Sequence, residues 1–230
     1  MSYVFGYFIA DGCITINKNR HKNPYTFNIT SADEEHLYKI RETLSSTHKI
    51  SLKNRDRRNR AFQIQIRSSS LAQDLISIGG SVRKTYNLQN IEVPEKFFWD
   101  FTRGFFDGDG SVYLYKVNGT PQIKSNLVCA SLPFIEDLNK KICERLKIPT
   151  KSIHRRPAKN KRIEQYSVDY YIEDSEKLMG HFYNDNPPLY LKRKRDVFDR
   201  WLEVKKDKRS FSRQNYPSKV GWHLNKNLIR

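Results

Sequence analysis

Two seven-residue segments of this chain follow one plan: Gly6-Tyr7-Phe8-Ile9-Ala10-Asp11-Gly12 and Gly104-Phe105-Phe106-Asp107-Gly108-Asp109-Gly110. Each runs from a small residue through two aromatics to a second small residue at the fourth step, then Asp-Gly. Each continues into an alternating, strand-like stretch, Cys13-Ile14-Thr15-Ile16-Asn17 in one and Ser111-Val112-Tyr113-Leu114-Tyr115 in the other. The closing aspartates lie 98 positions apart, so the repeating unit is close to half of the 230 residues. A repeat of that length requires two copies of one supersecondary plan, with one carboxylate contributed by each.

The rest of the chain follows the same plan twice. In the first copy the apolar stretch 4–10 predicts a short helix closed by Gly12 at the position after its end, where glycine is favoured. Strands follow at 13–18 and 25–31, then a helix opened by Ala32-Asp33-Glu34-Glu35 with acids in its first turn. A strand pair at 49–54 and 61–67 and a helix over 70–78 complete the copy. The second copy predicts a helix over 95–110, strands at 111–117 and 122–130, and a helix over 133–146. A strand pair at 151–156 and 164–172 follows, then helices near 174–183 and 189–203. The expected organisation is an N-terminal repeat (1–86), a linker (87–94), a C-terminal repeat (95–203) and a basic tail (204–230). That tail carries eight basic residues and one acid.

Charge narrows the partner. A formal net charge of +17 and an isoelectric point near 9.8 call for a polyanion, and nucleic acid is the first expectation. No apolar run approaches the ~20 residues of a membrane-spanning helix, so no membrane partner is expected. The start, Met1-Ser2-Tyr3-Val4, has no basic segment followed by a cleavable apolar stretch, so the expected location is intracellular, cytoplasmic or organellar, and not secreted. Cys13, Cys129 and Cys143 are odd in number and lack metal-ligand spacing, which predicts reduced thiols. Mean hydropathy is low, −0.76, but 13 Tyr, 13 Phe and 3 Trp are enough to build a core.

Small residues one turn apart, Gly6/Ala10 and Gly104/Gly108, let two helix backbones approach closely. Crossing the helices there brings Asp11 and Asp109 together at their C-terminal ends, where like charges and two negative dipole ends repel. A divalent cation relieves that repulsion, and hard oxygen ligands favour Mg²⁺, which pairs readily with phosphate. Carboxylates, metal and a phosphodiester together point to hydrolysis in which the metal polarises phosphate and activates water. A single Asp-Gly after a short helix is an ordinary turn. Two at matched places in a repeat are not.

The alternating strands predict a polar outward face. Thr15, Asn17, Thr26, Asn28, Gln63, Gln65 and Arg67 form it in the first copy, and Tyr113, Tyr115, Gln122, Lys124 and Asn126 in the second. Such a face suits base-edge readout in a major groove. The basic loops containing Arg55, Arg57, Arg58 and Arg60, and Arg155, Arg156, Lys159, Lys161 and Arg162, would hold phosphates at its margin.

The two segments resemble the LAGLIDADG motif of homing endonucleases, in the single-chain form with two motif copies, and the resemblance runs from residue 4 to about 203. The first copy departs at its sixth position, where Ile9 replaces the common acid. The resemblance implies an α+β fold of two αββαββα repeats about a pseudo-two-fold axis, with saddle-shaped antiparallel sheets and the motif helices packed at the interface. It implies a monomer that cuts both strands of a long DNA target to leave staggered 3′ overhangs. Asp11 and Asp109 would then be catalytic metal ligands, with Ala10 and Gly108 beside them in the metal site. Mg²⁺ would be the cofactor, Mn²⁺ would substitute, and Ca²⁺ would support binding without cleavage. A basic residue near each scissile phosphate would be Lys84 in one half and Lys194 or Lys192 in the other, and Ser31 and Ser131 would position water. The same fold also serves RNA maturases, which would bring RNA as a partner, and non-catalytic DNA-binding regulators. Retention of both aspartates favours cleavage, and an intein is disfavoured because no splicing Cys or Ser opens the chain and no His-Asn closes it.

Overall fold

The computed structural model describes residues 1–54, 60–82, 88–158 and 163–206. The first copy comprises α1 (Ser2–Asp11), β1 (Gly12–Ile16), β2 (Tyr25–Ser31), α2 (Glu34–Thr43), β3 (Ile50–Asn54), β4 (Ala61–Arg67) and α3 (Ser69–Ser77). The second comprises α4 (Phe98–Asp109), preceded by a 3₁₀ turn at Glu95–Phe97, then β5 (Ser111–Val117), β6 (Thr120–Cys129) and α5 (Leu132–Leu146). It continues through β7 (Ile153–Arg156), β8 (Gln165–Tyr171), α6 (Ile172–Tyr183) and α7 (Lys192–Lys206). The strands form two four-stranded antiparallel sheets of matching order, β1-β2-β4-β3 and β5-β6-β8-β7. The fold is α+β, built twice, as the periodicity predicts. No helix among the described residues is long and apolar enough to cross a membrane.

α1 has no polar face: Tyr3 through Ile9 are all buried. A helix apolar on every side must be covered on every side, and α1 achieves this by lying between its own sheet and α4. Two glycines permit the crossing. A Cβ on Gly6 would lie 2.0 Å from the Phe101 carbonyl oxygen, and one on Gly104 would lie 2.0 Å from that of Tyr3. The contacts are reciprocal, because Tyr3 and Phe101 occupy matching places in the two copies, and they mark a pseudo-two-fold axis through the helix pair.

Gly12 and Gly110 differ from expectation. Neither adopts a left-handed conformation; their φ, ψ values are −89°, 166° and −88°, 170°, which is extended backbone. Glycine is required there because a Cβ would strike the ring carbon Cδ2 of Phe8 (2.1 Å) or Phe106 (2.3 Å) as the chain leaves the helix for the strand. Positive φ occurs instead at Asn118 (49°) and Gly119 (81°), a tight hairpin turn that starts β6 two residues earlier than alternation predicts. The stretch expected to be a linker is anchored: Leu88 and Ile91 are buried in the core. The three cysteines are free thiols.

Candidate active site

α1 and α4 end at Asp11 and Asp109, and β1 and β5 begin at the next residue, so both carboxylates stand at the junction of the helix pair with the sheets. Both are solvent-exposed. Their convergence is visible at Gly108, where a Cβ would lie 2.2 Å from the Ala10 Cβ and 3.5 Å from the Asp11 carboxylate. Asp11 therefore lies against the residue that precedes Asp109. Among the described residues no group of three or more His, Cys, Asp or Glu side chains could hold a metal. Two hard carboxylates beside small residues fit Mg²⁺, which takes one or two protein carboxylates and completes its shell with water and phosphate oxygens.

Of the lysines considered from sequence, Lys194 belongs to this site. It is 3% exposed, and its ammonium donates to the carbonyls of Phe106, Asp107 and Gly110, around the end of α4. Burial pushes its pKa down to about 7, against an upward pull from Asp107, Asp11 and Asp109, while Arg193 pushes further down. Lys192 points to solvent and pairs with Asp196 on its own helix. Lys84 lies outside the described residues.

Asp107, in the motif but without an expected role, holds that lysine in place. Its buried carboxylate accepts from the Leu191 backbone N–H (2.8 Å), at the start of α7, and from the Tyr3 hydroxyl (2.7 Å). Burial raises its pKa, opposed by Lys194 and by those hydrogen bonds. The signal was present in the sequence: Ile9 occupies the matching place in the first copy, so only the second half can make this network. Since the Tyr3 hydroxyl donates to Asp107, its oxygen accepts from His36 Nε2 (3.0 Å), which joins α2, α1, α4 and α7 in one chain of bonds. Arg193 adds a second link between the halves through Asp33 (3.1 Å).

His36 gives this network a pH dependence. Burial pushes its pKa down to about 4, with Asp33 opposing and Lys39, Arg193 and Lys194 reinforcing. The folded state therefore holds fewer protons than the unfolded state between pH 4 and 6.5. The stabilisation is complete above about 6.5 and is lost as pH falls toward 4, by about 3 kcal/mol. Asp107, with its raised pKa, works in the opposite direction. Urea midpoints at pH 7.5 and 4.5 are expected to differ less in His36→Gln than in the parent, and equal differences would refute the assignment.

The predicted water-positioning serines are not equivalent. Cys13 pairs with Asn28 and Ser111 with Asn126, so Ser31 matches Cys129 and Ser131 matches Asp33. Ser31 is buried and accepts from the Tyr7 hydroxyl (3.0 Å) and the Asp33 backbone N–H (3.1 Å). Ser131 caps α5 by accepting from the Phe134 N–H and donates to the Leu88 carbonyl. Asp33 is likewise the residue that opens α2.

On the outward faces, Thr15, Asn17, Gln65 and Arg67 are exposed, and Thr26 and Gln63 are half-buried. Asn28 and Asn126, expected to be exposed, are buried at 9% and 8%, each on a strand with a hydrogen-bonded partner strand on either side. Asn126 accepts from the Ser111 hydroxyl (2.7 Å). Tyr113, Tyr115, Gln122 and Lys124 are half-buried, and Lys124 is ion-paired to Asp169. Arg60, Arg155 and Arg156 are exposed at the margins. Arg55, Arg57, Arg58, Lys159, Lys161 and Arg162 lie outside the described residues.

Residues 1–85 match the model of the LAGLIDADG-like domain. No curated protein matches the chain by sequence. Among solved structures, the LAGLIDADG homing endonuclease I-GzeII in complex with its DNA target is similar over 99% of this chain and 96% of its own. The TM-score is 0.59 at 14% identity. I-SmaMI bound to cleaved DNA matches over 93% of this chain and 92% of its own, with TM-score 0.59 at 12% identity. I-SmaMI bound to uncleaved target in the presence of calcium ions gives 93%, 94%, 0.56 and 12%. Residues 1–85 are thus similar to a LAGLIDADG-like domain, and the whole chain shares the fold of solved LAGLIDADG homing endonucleases.

Proposed function

We propose that this protein is a site-specific double-strand DNA endonuclease that hydrolyses phosphodiesters with Mg²⁺ and leaves staggered 3′ overhangs. The observation that carries this reading is the exposed pair Asp11 and Asp109 at the helix crossing, beside buried Lys194, in a chain of net charge +17. Its support from similarity is the fold shared with enzymes solved on their DNA targets. Asp11 and Asp109 would hold the metal, which when bound polarises the phosphate and activates water. The aspartates alone would repel a phosphate, so they also keep the backbone of DNA from settling in the site without a cation. Lys194, gripped by three carbonyls at the end of α4, is held to one position and offers positive charge to a phosphate between the halves. The chain would act as a monomer, since both carboxylates are supplied in cis.

Cleavage of a randomised duplex library tests the reading. One long consensus cut with Mg²⁺, the same duplexes bound but uncut with Ca²⁺, and Mn²⁺ replacing Mg²⁺ are the expected results. Binding without cutting in every metal would replace it by the maturase or regulator reading.

A further inference from the structure

The sheet register matches the outward positions of the two halves one for one: Thr15 with Tyr113, Thr26 with Lys124, Gln65 with Asp169, and Arg67 with Tyr171. The chemistry at these matched places is different. Strands β1 to β4 contain no acidic residue, and Arg67 is exposed with no carboxylate partner among the described residues. Thr15, Asn17, Thr26, His48, Gln65 and Arg67 line an open hollow of about 740 Å³ at the outer end of this sheet, wide enough to admit a base-pair edge with its waters. Thr15, Gln65 and Arg67 are exposed, whereas Asn17 Oδ1 accepts from the Asn19 backbone N–H (3.1 Å) and His48 Nδ1 is bonded to the Ser46 hydroxyl (3.0 Å).

In the second sheet the corresponding groups are spent on one another. Lys124 Nζ lies 2.7 Å from the Asp169 carboxylate and 3.1 Å from the Tyr171 hydroxyl, with the Tyr171 ring 4.6 Å beneath it. The rings of Tyr113 and Tyr115 pack at 6.1 Å alongside. Lys124 and Asp169 cancel in charge, and turning either toward a base would break a half-buried ion pair.

Resting on the nuclease reading above, we propose that strand-borne sequence readout is concentrated in the half of the DNA target covered by the N-terminal sheet, with Arg67 as its principal base-reading residue. The guanidinium fork suits the O6 and N7 acceptors of guanine, and Gln65 beside it suits adenine. The second sheet contributes shape, an aromatic surface around the self-paired Lys124 and Asp169, and the basic residues Arg155 and Arg156 at its margin.

Selection from a randomised duplex library by the full-length protein, followed by salt titration of binding, tests this. Three proteins are compared: the parent, Arg67→Gln, and the charge-neutral double variant Lys124→Gln/Asp169→Asn. The parent is expected to select a consensus that is stronger in one half and contains guanine there. Arg67→Gln relaxes that half, lowering the preference for guanine by about 5- to 150-fold, while the slope of log K against log salt falls by less than the ~0.9 that loss of a phosphate contact would bring. The double variant keeps the slope and the consensus. An unchanged consensus in Arg67→Gln, or base preferences erased by the double variant, overturns the proposal and leaves the nuclease reading standing. No consensus from the parent removes both.

Discussion

Asp109→Asn, and equally Asp11→Asn, is expected to abolish cleavage of the selected target while leaving its binding intact or slightly tighter. Asparagine keeps the size of the side chain and one oxygen, so the helix crossing is not disturbed. It removes the charge that a divalent cation requires, and with it one preorganised electrostatic element of the transition state. Such elements are each worth about 10²- to 10³-fold in rate, and with only two carboxylates in the site the loss should reach the upper end. Binding would change in the opposite sense because both carboxylates are exposed and, in the proposed complex, would face phosphate. Cleavage on supercoiled plasmid and binding in Ca²⁺, measured on the same preparations, separate the two effects. Equal losses in both would mean that the aspartates shape the interface and do not carry the chemistry.

Gly104→Ala is expected to cost about 3 kcal/mol or more of stability, a large share of the 5–15 kcal/mol of a typical domain. The added carbon would lie 2.0 Å from the Tyr3 carbonyl oxygen and 2.9 Å from the Tyr7 nitrogen. Both are backbone atoms of the facing helix, so no side chain can swing aside, and the helices must separate along their length. The better helix propensity of alanine returns about 1 kcal/mol. Gly6→Ala meets the Phe101 carbonyl in the same way and should behave alike. Gly180→Ala in α6 is the control: its new carbon would meet only the Asn184 side-chain amide, at 3.2 Å, which can rotate away. Urea midpoints should fall sharply for the first two variants and hold for the third. A uniform response would show that helix propensity, not the crossing, dominates.

The order of elements was legible in the sequence because each is written in periodicity. Alternation in Phe62–Arg67 marks one face buried, and the all-apolar run from Tyr3 marks a helix covered on all sides. Asp11 and Asp109 were legible because duplication doubles a signal that is weak in one copy. Depth was not legible: alternation assigns Asn28 and Asn126 to the outward face, but says nothing of how far an inner strand, flanked on both sides, covers them. Cross-strand chemistry was hidden as well, since Lys124 and Asp169 are 45 residues apart and meet only through the register of β6 and β8. Ser131 was misaligned with Ser31 by two positions because each lies where a strand gives way to a helix-forming stretch, but Ser31 closes β2 while Ser131 lies beyond β6 and caps α5. Lys194 could not be chosen over Lys192 without knowing which way α7 faces.

The pairing of Ala10 with Gly108 at the axis decides which halves can meet there. One side of the crossing carries a methyl group and the other has none, with no room for a second. Two N-terminal halves brought together would set Ala10 against Ala10 and leave each Tyr3 hydroxyl facing Ile9 in place of Asp107. The two halves are therefore complementary and not interchangeable, and Ala10 and Ile9 both weigh against the first half pairing with a second copy of itself.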